Sequence, residues 1–161
     1  MAIVVSDTSP VRALHHLGRI KLLEDLFGHV LVPPEVAEEL RRTGRRFGPI
    51  ELAHFPFLTI ESPQDQARVQ QLEASLDSGE AAAIVLALEC RADYILIDER
   101  FGRRLARESG LTVVGALGVL LLAKRRGLIP QLRPLIMRLQ GELDFYLSPG
   151  LVAGVLRDAN E

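Results

Sequence analysis

The feature that most constrains the fold is a regular alternation of short β-branched runs with helical segments. The runs AIVVS, HVLVP, YILID and LTVVG are each followed by a stretch with helical character. Because parallel strands are joined by crossover helices, this alternation predicts an α/β protein, a three-layer α/β/α sandwich with a central, mainly parallel sheet. A further short strand is expected at residues 57–60, inside an irregular connection spanning residues 43–63.

Helix boundaries are marked by capping residues, prolines and glycines. Helix starts are expected at Pro10, Pro34, Asp77 and Pro149, and glycines 28 and 127 should end helices at residues 20–27 and 117–126. With 161 residues, 48% of them hydrophobic, the chain is sized for one domain, residues 1–161. Residues 128–161 are interpreted as a helical C-terminal extension of that domain.

Charge and cysteine content exclude several classes of protein. Nineteen basic and 21 acidic side chains give a net charge of −2, so any nucleic-acid site must be local. The single Cys90 forms no internal disulfide and is expected to be a packed thiol in a reducing compartment. The N-terminal apolar run ends at Ser6, too early for a signal peptide, and residues 113–123 are too short to span a bilayer. We therefore expect a cytoplasmic protein without membrane association.

Acidic residues follow two of the predicted strands. Asp7 ends the first strand, and Asp98 ends YILID, with Glu99 next to it. In open parallel α/β sheets, ligands bind beyond the carboxyl ends of the strands. Two further acids, Glu39 and Glu80, come from predicted helices.

The helical periodicity selects Glu39 over its neighbour. Val36 and Leu40 mark the inward face of the helix that starts at Pro34, which places Glu39 beside that face and Glu38 in solvent. Clustered carboxylates repel one another and usually need a cation. Convergence of these acids would therefore indicate a metal site.

Each acid also has a structural interpretation, and the residues alone leave both open. Asp7 could join Thr8 and Ser9 in capping the next helix. The stretch from Asp77 to Glu80 has the spacing of a capping box. The stretch of residues 98–100 could be a solvated helix start.

Five segments, in order, resemble one family. They are VVSDTSPVRALHHLGRIKLL, VLVPPEVAEEL, LDSGEAAAIVLALE, ADYILIDERFGRRLA and LTVVGALGVLLLAKRRGLIP. They are similar to the PIN-domain nucleases, and within them to a toxin-like branch with a DSGEA-type third motif. The resemblance extends to about residue 140. It implies an acidic cleft that binds Mg²⁺ or Mn²⁺ and hydrolyses single-stranded or structured RNA, often as the toxin of a toxin–antitoxin pair.

The resemblance also assigns roles to residues. It implies that the catalytic metal ligands are Asp7, Glu39, Glu80 and Asp98, with Ser9 as a secondary polar contact. Glu99, next to Asp98, is a second candidate for such a contact. The chain departs from the family in two places. Glu80 stands where the best-known members carry Asp, and Ala116 stands where many relatives have a hydroxyl group.

The remaining polar residues limit the chemistry. No Ser-His-Asp or Cys-His arrangement is evident, and His15, His16 and His54 are interpreted as surface or packing residues. Oxygen ligands suit Mg²⁺ or Mn²⁺ rather than zinc. Either two ions roughly 3.5–4 Å apart, or one ion that recruits a second, fits the pattern.

Basic residues close to the acids predict a rim that contacts RNA. This rim consists of Arg41, Arg42, Arg45, Arg46, Arg103 and Arg104, although solvated helix ends explain the same residues. Residues 124–126 form another basic cluster, at the far end of a helix, where a favourable interaction with the helix dipole explains it. The chain has six Phe, two Tyr and no Trp, which favours recognition of the RNA backbone over base stacking.

Two other classes of protein share part of this pattern. A phosphatase of the haloacid-dehalogenase type needs a second Asp two residues after Asp7, where this chain has Ser9. A non-catalytic PIN-fold binding or regulatory protein remains the main alternative. As partners we expect an RNA substrate, a small antitoxin bound at the tail from Leu128 onward or at the rim, and a second copy in a homodimer.

Overall fold

A parallel sheet forms the centre of the computed structural model, which describes residues 2–44 and 46–161 of the chain. In these residues the sheet has five strands in the order β3-β2-β1-β4-β5, and all neighbouring pairs are parallel. The strands are β1 Val4–Ser6, β2 Val30–Val32, β3 Leu58–Ile60, β4 Tyr94–Leu96 and β5 Val113–Val114. In the register of the sheet, Val5 lies between Leu31 and Ile95. The predicted α/β/α fold class is confirmed, including the short strand inside residues 43–63.

The helices cover both faces of this sheet. They are α1 Thr8–His16, α2 Leu22–Phe27, α3 Pro34–Arg41, α4 Gln66–Leu72, α5 Ser78–Glu89, α6 Arg100–Glu108, α7 Ala116–Arg125, α8 Arg133–Glu142 and α9 Pro149–Asp158, with a 3₁₀ turn at Leu52–His54. Gly28 and Gly127 have φ of 78° and 72°, a conformation that glycine adopts at helix ends. Among the described residues, no helix is both long enough and apolar enough to cross a membrane.

Alternate residues of the strands belong to two different hydrophobic cores, one on each face of the sheet. Val4 and Leu96 belong to the core on the α1, α2, α3 and α7 side, whereas Val5 and Ile95 belong to the core around α5. This division follows from the two-residue repeat of a strand, which points neighbouring side chains to opposite faces. The second core is dominated by α5, in which nine of twelve residues are buried.

The C-terminal helices pack on the first core. Ile136 and Leu139 of α8 and Leu156 of α9 are buried there. The carboxylate of Glu161 accepts hydrogen bonds from the backbone N–H groups of Leu132 and Arg133, at 2.6 Å and 3.1 Å. This arrangement satisfies donors at the start of α8, which are otherwise unpaired in a helix.

The strand order reverses beside β1. From β1 the chain adds β2 and β3 on one side of the sheet, and then β4 and β5 on the other. The backbone N–H of Asp7 donates to the carbonyl of Leu96 at 2.9 Å, which joins the carboxyl ends of β1 and β4. A reversal of this kind leaves a crevice at the carboxyl ends of the two strands, where ligands of such sheets bind.

Candidate active site

One cleft, of about 600 Å³, lies at this reversal point. Its lining includes all six acidic and hydroxyl residues that were predicted to form the site, namely Asp7, Ser9, Glu39, Glu80, Asp98 and Glu99, together with Asp77. Asp7 follows β1 directly, and Asp98 follows β4 by two residues. The structure therefore brings the predicted residues together, while their catalytic and metal-binding roles stay predictions.

Asp7 occupies the N-cap position of α1, but its side chain makes no capping hydrogen bond. The third residue of α1 is Pro10, which lacks the N–H that a cap at this position commonly satisfies. Only 5% of Asp7 is exposed. Burial raises the pKa of Asp7 to about 7; the N–H of Thr8 opposes this shift, and the carboxylates of Asp77, Glu39 and Asp98 add to it.

Glu39 faces the cleft, as its helical position predicted, and Glu38 is exposed. The hydroxyl of Thr8 donates to Oε2 of Glu39 at 2.9 Å. A Cβ atom at Gly79 would lie 3.1 Å from that same oxygen and 3.3 Å from Oδ1 of Asp7. The glycine of the DSGEA segment thus lets the start of α5 approach both acids closely.

The residues from Asp77 to Glu80 form the capping box that their spacing indicated. Oδ1 of Asp77 accepts from the N–H of Glu80 at 2.8 Å, and Oε1 of Glu80 accepts from the N–H of Asp77 at 3.4 Å. The second oxygen of Glu80, Oε2, is buried and has no hydrogen-bond partner among the described residues. The capping box therefore uses only one of the two oxygens of Glu80.

The environment of Glu80 disfavours its charged form. The pKa of Glu80 is raised to about 8, mainly by burial and in addition by the side-chain hydrogen bond and charge of Asp77 and the charge of Asp7; the backbone N–H of Asp77 opposes this shift. A Cβ atom at Gly102 would lie only 2.6 Å from the unpaired Oε2. Helix α6 thus provides room for this carboxylate because residue 102 is glycine.

Both oxygens of Asp98 accept hydrogen bonds. The hydroxyl of Ser9 donates to Oδ2 at 3.0 Å, and the backbone N–H of Ala116 donates to Oδ1 at 2.8 Å. Burial raises the pKa of Asp98, and these two bonds and the charge of Arg103 oppose the shift. Ala116, considered from sequence as the loss of a hydroxyl contact, contributes its backbone N–H instead.

The predicted basic rim does not line the cleft in the part of the chain that the structure describes. Arg41 pairs with Glu38 and Glu51, and Arg104 pairs with Glu108. Arg42 is exposed, and Arg45 lies outside the described residues.

Two rim arginines instead make contacts that hold backbone segments. Arg46 pairs with Asp144 at 2.7 Å and donates to the carbonyl of Glu142. Arg103 donates to the carbonyl of Ile97 at 2.9 Å. Contact of the rim with RNA stays a prediction.

Arg12 is a cation of the cleft that the sequence analysis missed. It lies on α1, its guanidinium donates to the backbone carbonyl of Glu39, and it stacks 4.9 Å from the centre of the Phe47 ring. Its Nη1 is buried without a partner among the described residues. Arg12 follows Thr8 and Ser9 by four and three residues, so the helical repeat could have placed it on their face of α1.

Aromatic side chains also line the cleft. They are Phe47, Phe101, Phe145 and Tyr146, which are three of the six Phe and one of the two Tyr in the chain. The low aromatic content had argued against base stacking. Recognition of the RNA backbone over base stacking stays a prediction, although half of these eight residues line one cleft.

The donor set fits a hard divalent cation in its chemistry. The acids offer carboxylate oxygens, which Mg²⁺ and Mn²⁺ prefer, and Glu80 has an unpaired buried oxygen. Among the described residues, however, no three His, Cys, Asp or Glu side chains are grouped closely enough to hold one ion. Coordination by three of the acids therefore requires side-chain movement.

The fold and the cleft define a doubly wound α/β protein with a carboxylate-rich site at its reversal point. A family model described as a PIN domain matches residues 3–161, and the chain belongs to the PIN-domain family. PIN domains are generally nucleases and generally use divalent metal ions. The comparison with curated proteins gave no significant match. The resemblance drawn from sequence is confirmed for the family, and the toxin-like branch stays a prediction.

Proposed function

We propose that this PIN domain is a Mg²⁺- or Mn²⁺-dependent endoribonuclease. The observation that carries the proposal is the group of Asp7, Glu39, Glu80 and Asp98 in one cleft, two of them buried acids whose pKa is raised to about 7 and about 8. Buried carboxylates that repel one another destabilise a fold, and evolution retains such sites mainly for function. A bound divalent cation offsets this repulsion, so cation binding explains why these four acids share one cleft.

In the proposed reaction, each polar residue of the cleft has a role in binding the metal ion or the phosphate. Asp7, Glu39 and Glu80 present carboxylate oxygens, and Asp98 is held in place by Ser9 and by the N–H of Ala116. A bound divalent ion supplies an activated water and stabilises the charge that develops on the phosphate. The buried Nη1 of Arg12 is positioned to donate to a phosphate oxygen in the cleft.

A cleavage assay with matched variants tests the proposal. The purified protein should cleave labelled RNA in Mg²⁺ or Mn²⁺, and EDTA should stop the reaction. Glu39→Gln should abolish cleavage, whereas Glu38→Gln, its exposed neighbour on α3, should cleave as the wild type does. Equal loss in both variants, or cleavage that persists in EDTA, would contradict a metal site that includes Glu39.

We further propose that the protein is the toxin of a toxin–antitoxin pair, is cytoplasmic and forms a homodimer. The sequence resemblance supports these finer assignments. Expression of the wild type should arrest cell growth, and Asp98→Asn should not. The antitoxin is expected to bind the tail from Leu128 onward or the basic rim. Normal growth during expression of a protein that cleaves RNA in vitro would contradict the toxin role, and a monomer in light scattering would contradict the dimer.

The alternative is a PIN domain that binds RNA or a partner without catalysis. The engagement of both oxygens of Asp98 and the absence, among the described residues, of a ready three-ligand group favour it. Such a protein would bind RNA equally well with Mg²⁺ or EDTA and leave it intact. The cleavage assay therefore decides between the two functions.

A further inference from the structure

One wall of the cleft is formed by the connection between α8 and α9. Leu143, Asp144, Phe145 and Tyr146 of this connection all line the cleft. Contacts of its backbone and of one side chain hold it against its neighbours. The N–H of Phe145 donates to the carbonyl of Leu139 at 3.1 Å, and Arg46 binds Asp144 at 2.7 Å. This wall is therefore a defined surface, held by bonds to α8 and to Arg46.

The side chain of Tyr146 projects from this anchored wall into solvent. It is 88% exposed, the highest value among the exposed large hydrophobic residues of the described chain. Phe101, on the first turn of α6 and three residues after Asp98, is 44% exposed and lines the same cleft. An aromatic ring in solvent forgoes the favourable free energy that its burial would give. Two such rings beside one polar site therefore indicate a ligand with a flat apolar face that covers them.

The chemistry of the cleft identifies that ligand. A nucleotide has a phosphate, which suits Arg12 and cation-bound carboxylates, and a base, which suits an aromatic ring. The acids lie at the sheet, whereas Phe101 and Tyr146 are exposed to solvent at the cleft. Because the bases of a duplex are already stacked on one another, only an unpaired base can reach such rings.

We propose that Tyr146 and Phe101 form a base-stacking subsite for an unpaired nucleotide beside the carboxylates of the cleft. The inference rests on the proposed nuclease function for the position of the phosphate. It extends that function, because it assigns a specificity role to the connection after α8. The backbone recognition predicted from composition is thereby supplemented by stacking.

The intrinsic fluorescence of Tyr146 provides a probe for a binding test. The chain has no Trp and two tyrosines, and Tyr94 is partly buried with its ring 6.0 Å from that of Phe27. In a Tyr94→Phe variant, Tyr146 is the sole source of tyrosine fluorescence. We would titrate this variant, with Ca²⁺ in place of Mg²⁺, with a short single-stranded RNA, with the same RNA as a duplex, and with the same strand lacking its bases. We expect saturable quenching of the Tyr146 fluorescence by the single-stranded RNA, and no quenching by the duplex or by the strand without bases.

A second set of variants measures the contribution of the ring in the wild-type background. Tyr146→Ala should weaken binding of single-stranded RNA about 5- to 150-fold, the range expected for loss of one stacked base. Tyr146→Phe should keep most of the affinity, since it keeps the ring. Met137→Ala is the matched control, because Met137 is 65% exposed but lies outside the cleft, and it should bind as the wild type does.

The outcomes separate this inference from the nuclease proposal. Cleavage of RNA that Tyr146→Ala leaves unchanged, with equal affinity, would overturn the stacking subsite and leave the nuclease standing. Quenching by single strands without cleavage would support the subsite and overturn the nuclease. Equal binding of single and double strands, no binding of either, or a Tyr146→Ala variant that loses only self-association would each overturn the subsite.

Discussion

The hydroxyl of Ser9 donates a 3.0 Å hydrogen bond to Oδ2 of Asp98, and so connects the residues that follow β1 and β4. The two residues are 89 positions apart in the chain. They meet because the sheet places β1 beside β4 and both strands end at the same edge. Ser9 therefore positions Asp98 across the reversal point of the sheet.

Loss of this hydroxyl should impair the reaction more than the fold. Contacts that orient metal ligands typically contribute about 10- to 100-fold to affinity or activity, and we expect Ser9→Ala to lower the cleavage rate by such a factor at limiting Mg²⁺. Ser109→Ala, which removes an exposed hydroxyl that follows α6 and donates to the carbonyl of Leu105, serves as the control. Equal rates for Ser9→Ala and wild type, at equal melting temperatures, would show that Asp98 needs no support from Ser9.

Stability of the metal-free protein should depend on pH through the buried acids. The pKa of Asp7 is raised to about 7 and that of Glu80 to about 8, so each binds its proton more tightly in the folded state than in the unfolded state. The resulting stability is complete below about pH 4, near the unfolded pKa values, and is lost as pH rises through about 7 to 8. In EDTA, the melting temperature should therefore fall between pH 5 and pH 8.

Asp7→Asn tests the source of that pH dependence. Asn cannot ionise, so the variant should show a flatter melting profile and equal or higher metal-free stability at pH 8. Circular dichroism melts across the pH range measure both effects. A marked loss of metal-free stability would instead make Asp7 a structural residue of the α1 start.

Much of the fold follows from the sequence because its elements have local signals. The β-branched runs and the glycine helix ends are local, and they appear in the structure close to the expected residues. Helix α4 was missed. Only Val69 of its seven residues is buried, so the helix lacks an apolar stripe. Its visible signal is Asp65, whose side chain caps it by accepting from the N–H of Arg68.

The sequence predicts those site residues whose positions are set by the ends of strands. It does not predict those whose positions are set by tertiary contacts. Asp7 and Asp98 could be placed because parallel strands present their carboxyl ends at one edge. The approach of Tyr146 to the same cleft depends on how α8 packs, which carries no local signal. The rim failed to reach the cleft for a similar reason, since Arg46 instead pairs with Asp144 and Arg103 bonds to the backbone.

The capping box and the proposed metal site can be separated by two substitutions. Glu80→Gln should barely change stability, because Gln also serves at the third position of a capping box, but it should strongly reduce cleavage by removing a charge. Asp77→Ala should cost about 0.5–2 kcal/mol, the value of a lost helix cap. Melting curves and cleavage rates of both variants check this. Wild-type cleavage by Glu80→Gln at limiting Mg²⁺ would remove Glu80 from the site.

Arg12 should matter for binding of the substrate. Arg12→Ala removes the buried Nη1 donor and should raise the KM for RNA, whereas Arg104→Ala, which removes an exposed arginine paired with Glu108, should not. The two variants carry the same change of charge. Steady-state kinetics compare them directly. An equal effect of both would indicate a general loss of positive charge rather than a phosphate contact in the cleft.

Binding of the ion to the folded protein should be visible in thermal melts. An ion that binds only the folded state raises the free energy of unfolding by about 2.7 kcal/mol at 100 times its Kd. Millimolar Mg²⁺ or Mn²⁺ should therefore raise the melting temperature of the wild type, and Asp98→Asn should abolish the increase. The same response in both proteins would show that Asp98 takes no part in binding.

The most direct test of the metal site is an anomalous difference map from a crystal soaked in Mn²⁺. The map reports the ion itself, independently of any cleavage rate. We predict a peak in the cleft within coordination distance of carboxylate oxygens from Asp7 and Asp98, with Glu39 or Glu80 turned toward it. A fully soaked crystal with an accessible cleft and no peak there, or a peak that contacts none of these acids, would contradict the account.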